Sequence, residues 1–318
     1  ENGYLGGIVG VSEMTNGNLL VSNMSKSIVF ELDKETKKIV WSYGTFGVSG
    51  SGENQLDHPW YAVEAPDGDI LICDRDNQRL IKVRKSDKSI VWSFTSSDAV
   101  SKLGESNFYV HFVEVQPDGH YLVACGTYVA QFDPASKAMD WKITGFSSAR
   151  CARRIWNTLP SYEGWILVAD FDSSKSCIYV YNADRVLQWT IGQEGYPGCS
   201  PGFLNSPEYF DFASSLSVIV AEHGWAREVS FVATIEEGFR YGAGHYLYSQ
   251  DIGRGYAEGC GVDIACCIKL RNGNFLFSDF YGQLIEIKPI KYQADLRPQN
   301  FRCQIAKDLV TTGDEQYS

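Results

Sequence analysis

His58, His111, Arg153, Arg154, Glu208 and Asp263 are residue types that could do chemistry together. A histidine moves protons near neutral pH, an arginine clamps an oxyanion and a carboxylate ligates a metal, provided the fold brings them to one point. Histidines that only hydrogen-bond water or backbone are commoner, so the set is a hypothesis about convergence. A second group is aromatic. Trp60, Tyr61, Trp156, Tyr209 and Trp225, with Glu208 beside Tyr209, suit the docking of sugar rings, peptides or flat protein surfaces, and suit equally the filling of space between sheets.

The nine cysteines carry a different message. No C-x-x-C or H-E-x-x-H occurs, and the adjacent Cys266 and Cys267 would point to opposite faces of a strand, so no metal site is expected from spacing. Disulfides are favoured instead, with buried reduced thiols as the alternative. An odd count leaves at least one thiol free or bridging to another chain. Asn23-Met24-Ser25 is the one N-x-S/T sequon, and Asn23 is the expected glycan acceptor. With a first residue Glu1 rather than Met, these features give the expectation of a secreted protein, extracellular or at the cell surface.

Composition narrows the partners. A formal charge of −11 over 318 residues opposes nucleic-acid phosphates, and no apolar run is long enough to span a bilayer. Thirty glycines and 14% aromatic residues fit short strands and tight turns better than helices.

The elements that must position the candidate residues show as a repeat. Turn signals at Asn16-Gly17, Asp67-Gly68, Asp118-Gly119, Glu163-Gly164, Ser214-Ser215 and Asn272-Gly273 have second positions 51, 51, 45, 51 and 58 apart. Each precedes a short apolar run that ends in a polar or small residue: Asn23, Asp74, Cys125, Asp170, Glu222 or Asp279. Such turns between apolar runs predict hairpins of type I′, with both central residues at positive φ. Trp41, Trp92, Trp141 and Trp189 mark a later strand at intervals of 51, 49 and 48. Each copy reads as four short strands without a helix. The expected fold is all-β: a six-bladed β-propeller of four-stranded antiparallel blades at about 8–44, 58–95, 107–145, 150–192, 204–244 and 255–295. The 296–318 segment, or residues 1–7, would close the ring. A terminal strand left over, such as Phe301 to Ala306 with Cys303, could add to a neighbouring copy and make a homo-oligomer.

The connection into the second copy makes a resemblance specific. Tyr43-Gly44, Gly47, Gly50, Gly52, Gln55-Leu56 and Pro59, then Asp67 to Asp74, Asn77 and Arg79 to Val83, resemble the NHL repeat. Ile191-Gly192, Gly195, Pro197-Gly198, Gly202 to Leu204 and Pro207 echo it before the fifth copy. The tryptophan of the fourth strand resembles quinoprotein-like and arylsulfotransferase-like propellers. The resemblance implies that the innermost strand of each blade lines a channel and that the loops leading into those strands form one face. It makes His58 or His111 a candidate base or nucleophile and Arg154 an oxyanion clamp for sulfuryl transfer, although His58-Pro59-Trp60 replaces the paired histidines of that family. A lactonase-like or lyase-like propeller would hold Ca²⁺ or Zn²⁺ on the axis, which points to Glu13, Glu64, Glu114, Glu208 and Asp263; solvated acids are the favoured alternative, and no cofactor is expected. Loops before the fifth and sixth blades carry Cys199 and Cys260, the expected disulfide. The leading expectation is a non-enzymatic binding or assembly module with a protein or glycan on its loop face, and the alternative is a channel-site enzyme.

Overall fold

The computed structural model describes residues 6–156, 162–197, 203–214, 217–222, 225–230, 244–245, 264–280 and 282–287. Cys199, Cys260, Cys303, Asp263 and the segments expected to close the ring, apart from residues 6 and 7, lie outside them. The chain is all-β and of propeller type. The first sheet is β1 (Ile8–Glu13), β2 (Leu19–Asn23), β3 (Ile28–Leu32) and β4 (Ile39–Tyr43); the second is β5 (Pro59–Glu64), β6 (Ile70–Asp74), β7 (Arg79–Val83) and β8 (Ile90–Thr95). The third has seven strands: β9 (Phe112–Val115), β10 (Tyr121–Ala124), β11 (Gly126–Phe132), β12 (Met139–Arg154), β13 (Ile166–Asp170), β14 (Cys177–Tyr181) and β15 (Leu187–Ile191). The fourth is β16 (Pro207–Ser214), β17 (Ser217–Glu222), β18 (Trp225–Ser230) and β19 (Gly244–His245), and the last is β20 (Ile264–Lys269), β21 (Phe275–Asp279) and β22 (Leu284–Ile287). Each is an antiparallel meander in sequence order.

The seven-stranded sheet corrects the expectation of a separate four-stranded sheet for every repeat. The 16-residue β12 pairs with β11 through Met139 to Thr144 and again at Ala149, opposite Gly126, and with β13 through Ala149 to Arg154, so it serves two repeats. Only Gly145 to Ser148 separates the two halves, and Gly145 takes a φ of +99° there. The shortest repeat interval, 45 residues, falls at this junction. Elsewhere the connection has room for a loop, residues 44 to 58, or for the helical turns of Ser96–Asp98 and Ala99–Leu103.

The hairpin turns also differ from expectation. Gly17 N–H donates to Met14 O and Met14 N–H to Asn18 O, both at 2.9 Å, and the same pair of bonds recurs at Ala65, Gln116 and Leu270. The second-position glycine alone is left-handed, at +87° in Gly17 and +86° in Gly68 and Gly273. This is a three-residue turn with a glycine bulge rather than type I′. The preceding Asn or Asp stabilises it by accepting the N–H two residues on, as Asn16 Oδ1 does from Asn18 at 2.9 Å.

In the first sheet β1, β2 and β3 are buried almost throughout, whereas β4 is half exposed. Strands covered on both faces need continuous apolar runs, which is why the sequence shows runs rather than alternation there. The innermost strands touch in a cycle: β1 packs on β5, β5 on β9, β9 on β12, β12 on β16, β16 on β20 and β20 on β1. Neighbouring sheets are also stitched at the periphery, where Trp41 Nε1 donates to Lys85 O at 3.0 Å and Trp92 Nε1 to Pro134 O at 2.8 Å. The acids that end β6 and β13 tie down the connections that lead into their repeats. Buried Asp74 accepts from Asp57 N–H at 2.7 Å, Asn77 Nδ2 at 2.8 Å and Arg79 Nε at 2.6 Å, and Asp170 accepts from the Ser147 and Ser148 N–H groups.

Candidate functional site

The innermost strands run side by side in one direction, so the structure has a strand-start rim, an interior and a strand-end rim. On the strand-start rim Trp60, at the beginning of β5, lies between two guanidinium groups, Arg75 at 4.9 Å and Arg150 at 4.6 Å from its ring. Arg75 also faces Tyr109 at 6.0 Å, and Arg150 faces Phe171 at 4.4 Å. The result is a stack in the order Tyr109, Arg75, Trp60, Arg150, Phe171, with the charge of each cation against ring faces. Each arginine has one close carboxylate: Asp76 Oδ1 is 3.0 Å from Arg75 Nη1, and Glu208 Oε1 is 2.9 Å from Arg150 Nη1. Tyr109 is 40% exposed, so the stack opens to solvent at that end.

His111 sits behind the stack with its ring edge-on to Trp60, 5.1 Å between centroids. It is 5% exposed, and burial followed by the charges of Arg150 and Arg75 holds its pKa well below the usual histidine range. His111 is therefore neutral at pH 7, and its Nδ1 has no hydrogen-bond partner. His58, on the same rim, has Nδ1 2.7 Å from Asp57 Oδ1 and 3.1 Å from Asp76 Oδ2.

The interior is filled. Tyr61, Phe112 and Tyr209 come together with ring centroids 4.7 to 5.7 Å apart, and Tyr209 OH donates to Tyr61 OH at 3.2 Å. Arg153 donates from Nη2 to Tyr209 OH at 2.6 Å and from Nε to Phe210 O at 3.2 Å. Its Nη1 lies 3.6 Å from both Glu114 Oε1 and Asp211 Oδ1. Burial pushes the Tyr61 and Tyr209 hydroxyls far above their ordinary pKa, so both stay protonated.

At the strand-end rim Arg154 donates from its backbone to Glu114 Oε2 and from Nη1 to Gln131 Oε1, both at 3.0 Å. It also lies over Trp156, at 4.6 Å, whose Nε1 donates to Gln116 Oε1 at 2.7 Å. Arg154 is four residues beyond Arg150 on one strand, about 13 Å away at 3.3 Å per residue. His58, His111 and Arg154 thus do not meet: the histidines occupy the start and the arginine the end. Tyr61 and Tyr209 are buried in the interior, Trp60 and Glu208 belong to the strand-start rim but are themselves buried there, and Trp156 is half-buried at the other end. Trp225 opens β18, and its side chain lies outside the description.

The four described acids proposed for an axial ion are engaged by the protein. Glu13 accepts from Arg271 N–H, Glu64 from Thr15 N–H, Glu114 from Arg154 N–H and Glu208 from Arg150. Asn23 is fully buried, with Oδ1 accepting from Lys26 N–H at 2.9 Å, which leaves no room for a glycan. Cys73, Cys125, Cys151, Cys177, Cys266 and Cys267 are free buried thiols, so the disulfide expectation fails for all six described cysteines. Cys266 and Cys267 do face opposite sides: one Sγ approaches Val11 O on β1, the other Tyr209 O on β16 and Ile219 O on β17.

Sequence reasoning passed over Arg75, Asp76, Arg150 and Phe171 as site members. A signal existed at Asp74-Arg75-Asp76, where two charged residues directly follow the anchoring acid of the best-preserved repeat.

No family model matches the chain, and no curated protein matches it. Solved structures do. The RRP9 WD40 repeats superpose with a TM-score of 0.60 at 10% identity, over 96% of this chain and 81% of that one. Hydrazine synthase of Kuenenia stuttgartiensis gives 0.56 at 12% identity over 88% and 76%. Virginiamycin B lyase of Staphylococcus aureus, solved with quinupristin, gives 0.54 at 10% identity over 87% and 78%. These likenesses establish the propeller fold. They span structures named for enzymes and structures named only for their repeats, so the fold leaves the choice of function to the site.

Proposed function

We propose that this chain is a six-bladed propeller, one blade for each innermost strand of the contact cycle, working as a protein-binding module through its strand-start rim. The cycle of β1, β5, β9, β12, β16 and β20 supports the count, with β12 shared between the third and fourth blades. The NHL-like spacing of the second repeat fits the same reading. The observation that carries the function is the open stack of Tyr109, Arg75, Trp60, Arg150 and Phe171. Arginine, tyrosine and tryptophan are the residues on which protein interfaces concentrate their affinity, and here they are held rigid by stacking before any partner arrives. The three candidate catalytic residues, by contrast, are divided between opposite ends of a filled interior.

Selection of displayed peptides against the purified protein, followed by affinity measurement on variants, tests this. Peptides that bind the wild type are expected to lose at least tenfold in affinity with Arg75→Ala and with Tyr109→Ala. They should keep their affinity with Val40→Ser on the exposed outer strand β4. Selected peptides indifferent to both rim substitutions would overturn the proposal.

A further inference from the structure

We infer that Asp57, His58 and Asp76 form a binding site for a divalent transition-metal ion on the strand-start rim, beside the aromatic stack, with which it shares Arg75. Among the described residues this is the one trio of histidine, cysteine or carboxylate side chains whose ligand atoms all lie within 4.8 Å of one another. The detail at His58 is what points to a cation. Two carboxylate oxygens, Asp57 Oδ1 at 2.7 Å and Asp76 Oδ2 at 3.1 Å, converge on the same ring nitrogen. A neutral imidazole N–H offers one proton to one of them. An ion bound by Nδ1 and both oxygens satisfies all three donors at once, and one imidazole with two carboxylates suits zinc, cobalt or manganese rather than calcium, which prefers oxygen ligands alone.

The surrounding chain holds the trio in place. Asp57 and His58 are sequence neighbours, which an extended backbone would send to opposite faces; the left-handed φ of +49° at His58 breaks that alternation. Asp76 N–H donates to Asp57 O at 3.1 Å, and Asp57 N–H donates to the Asp74 carboxylate at 2.7 Å, so the two segments that carry the ligands are bonded to each other. Arg75 Nη1 holds Asp76 Oδ1 at 3.0 Å and thereby turns Oδ2 toward His58. Outer contacts of this kind orient ligands and are part of a metal site. The three side chains are 31 to 42% exposed, so a hydrated ion can enter and coordination positions stay open to water or to a ligand from outside.

Titration of the full chain with Co²⁺, followed by its visible absorption, and with Zn²⁺, followed by calorimetry, tests the site at pH 7.5. One equivalent is expected to bind with a visible band of low-symmetry Co²⁺. The affinity should fall at least tenfold in His58→Ala and in Asp76→Asn. It should be unchanged in His120→Gln, which removes a histidine paired to Asp140 elsewhere on the surface. Melting curves of the ion-free variants establish that they fold, and Zn²⁺ should raise the melting temperature of the wild type but not of His58→Ala. Failure to bind Co²⁺ or Zn²⁺ at 100 times the protein concentration overturns the inference, as does binding that survives both substitutions in folded protein. In either case the trio is a hydrogen-bonded cluster and nothing more.

Discussion

The interior and the strand-start rim both set arginine against aromatic rings, yet they differ in what surrounds the charge. Arg153, inside, faces two carboxylates, a tyrosine hydroxyl and a backbone carbonyl, and it is mostly covered. Arg75 and Arg150, on the rim, have a single close carboxylate apiece and lie at a stack that ends in exposed Tyr109. The same pair of chemical groups therefore does two jobs. In the interior two carboxylates, a hydroxyl and a carbonyl fix the guanidinium and make it part of the fold; on the rim one carboxylate and the faces of aromatic rings hold it.

The contrast is sharpest on removing a guanidinium. Arg153→Met leaves Glu114 and Asp211 covered without their cation, and it is expected to cost about 3 kcal/mol, near the lower end for breaking a buried ion pair because all three side chains keep some solvent contact. Urea denaturation reads this as a lowered midpoint, and an unchanged midpoint would erase the distinction between the regions.

His111, between the rim and the interior, gives the next largest effect. Its depressed pKa means that the unfolded chain binds the proton and the folded chain does not, so stability is complete above about pH 6.5 and falls as the pH drops. The denaturation midpoint should fall progressively as the pH drops below about 6.5, and His111→Gln should remove that acid slope.

At the rim, Arg75→Ala should cost no more than about 1 kcal/mol, the scale of a partly exposed cation–π contact and ion pair. A loss near that of Arg153→Met would show that the rim is also structural and would weaken its assignment to binding.

The smallest effect is a control of opposite sign. The hydrogen bond that His120 Nδ1–H donates to Asp140 Oδ2 raises the pKa of His120, so the folded state holds its proton more tightly. That stability is present below pH 6.5 and is lost as pH rises through the folded pKa. His120→Gln should flatten a shallow alkaline slope, measurable by the same midpoints, while leaving the acid slope of His111 intact.

Much of the architecture was legible because it is written locally. A glycine at the left-handed bulge, an acceptor just before it and an apolar run after it need only neighbouring residues, so the repeat, the strands and their order follow from spacing. The tryptophans of β4 and β8 are legible for the same reason, although their partners Lys85 and Pro134 in the following repeats are not. The type of turn was misread because the spacing is shared by two-residue and three-residue hairpins, and only the bond from Gly17 to Met14 tells them apart. The joined third and fourth repeats left a trace, the 45-residue interval, but a short interval does not say whether a strand continues or a loop shrinks.

The candidate site divides along the same line. Sequence alone determined the residue types, the acidic charge and the half-dozen copies of a strand-turn-strand unit, since each depends on composition or on contacts a few residues apart. Tertiary structure decided which end of an innermost strand each side chain reaches. It put Tyr61 and Tyr209 in the interior and Trp60 at the rim, placed Arg154 one strand length from His111, and set Asp76 against His58 across two connections. Those outcomes depend on strand direction and on packing between repeats about 50 residues apart in the chain, and no local preference of the backbone encodes them.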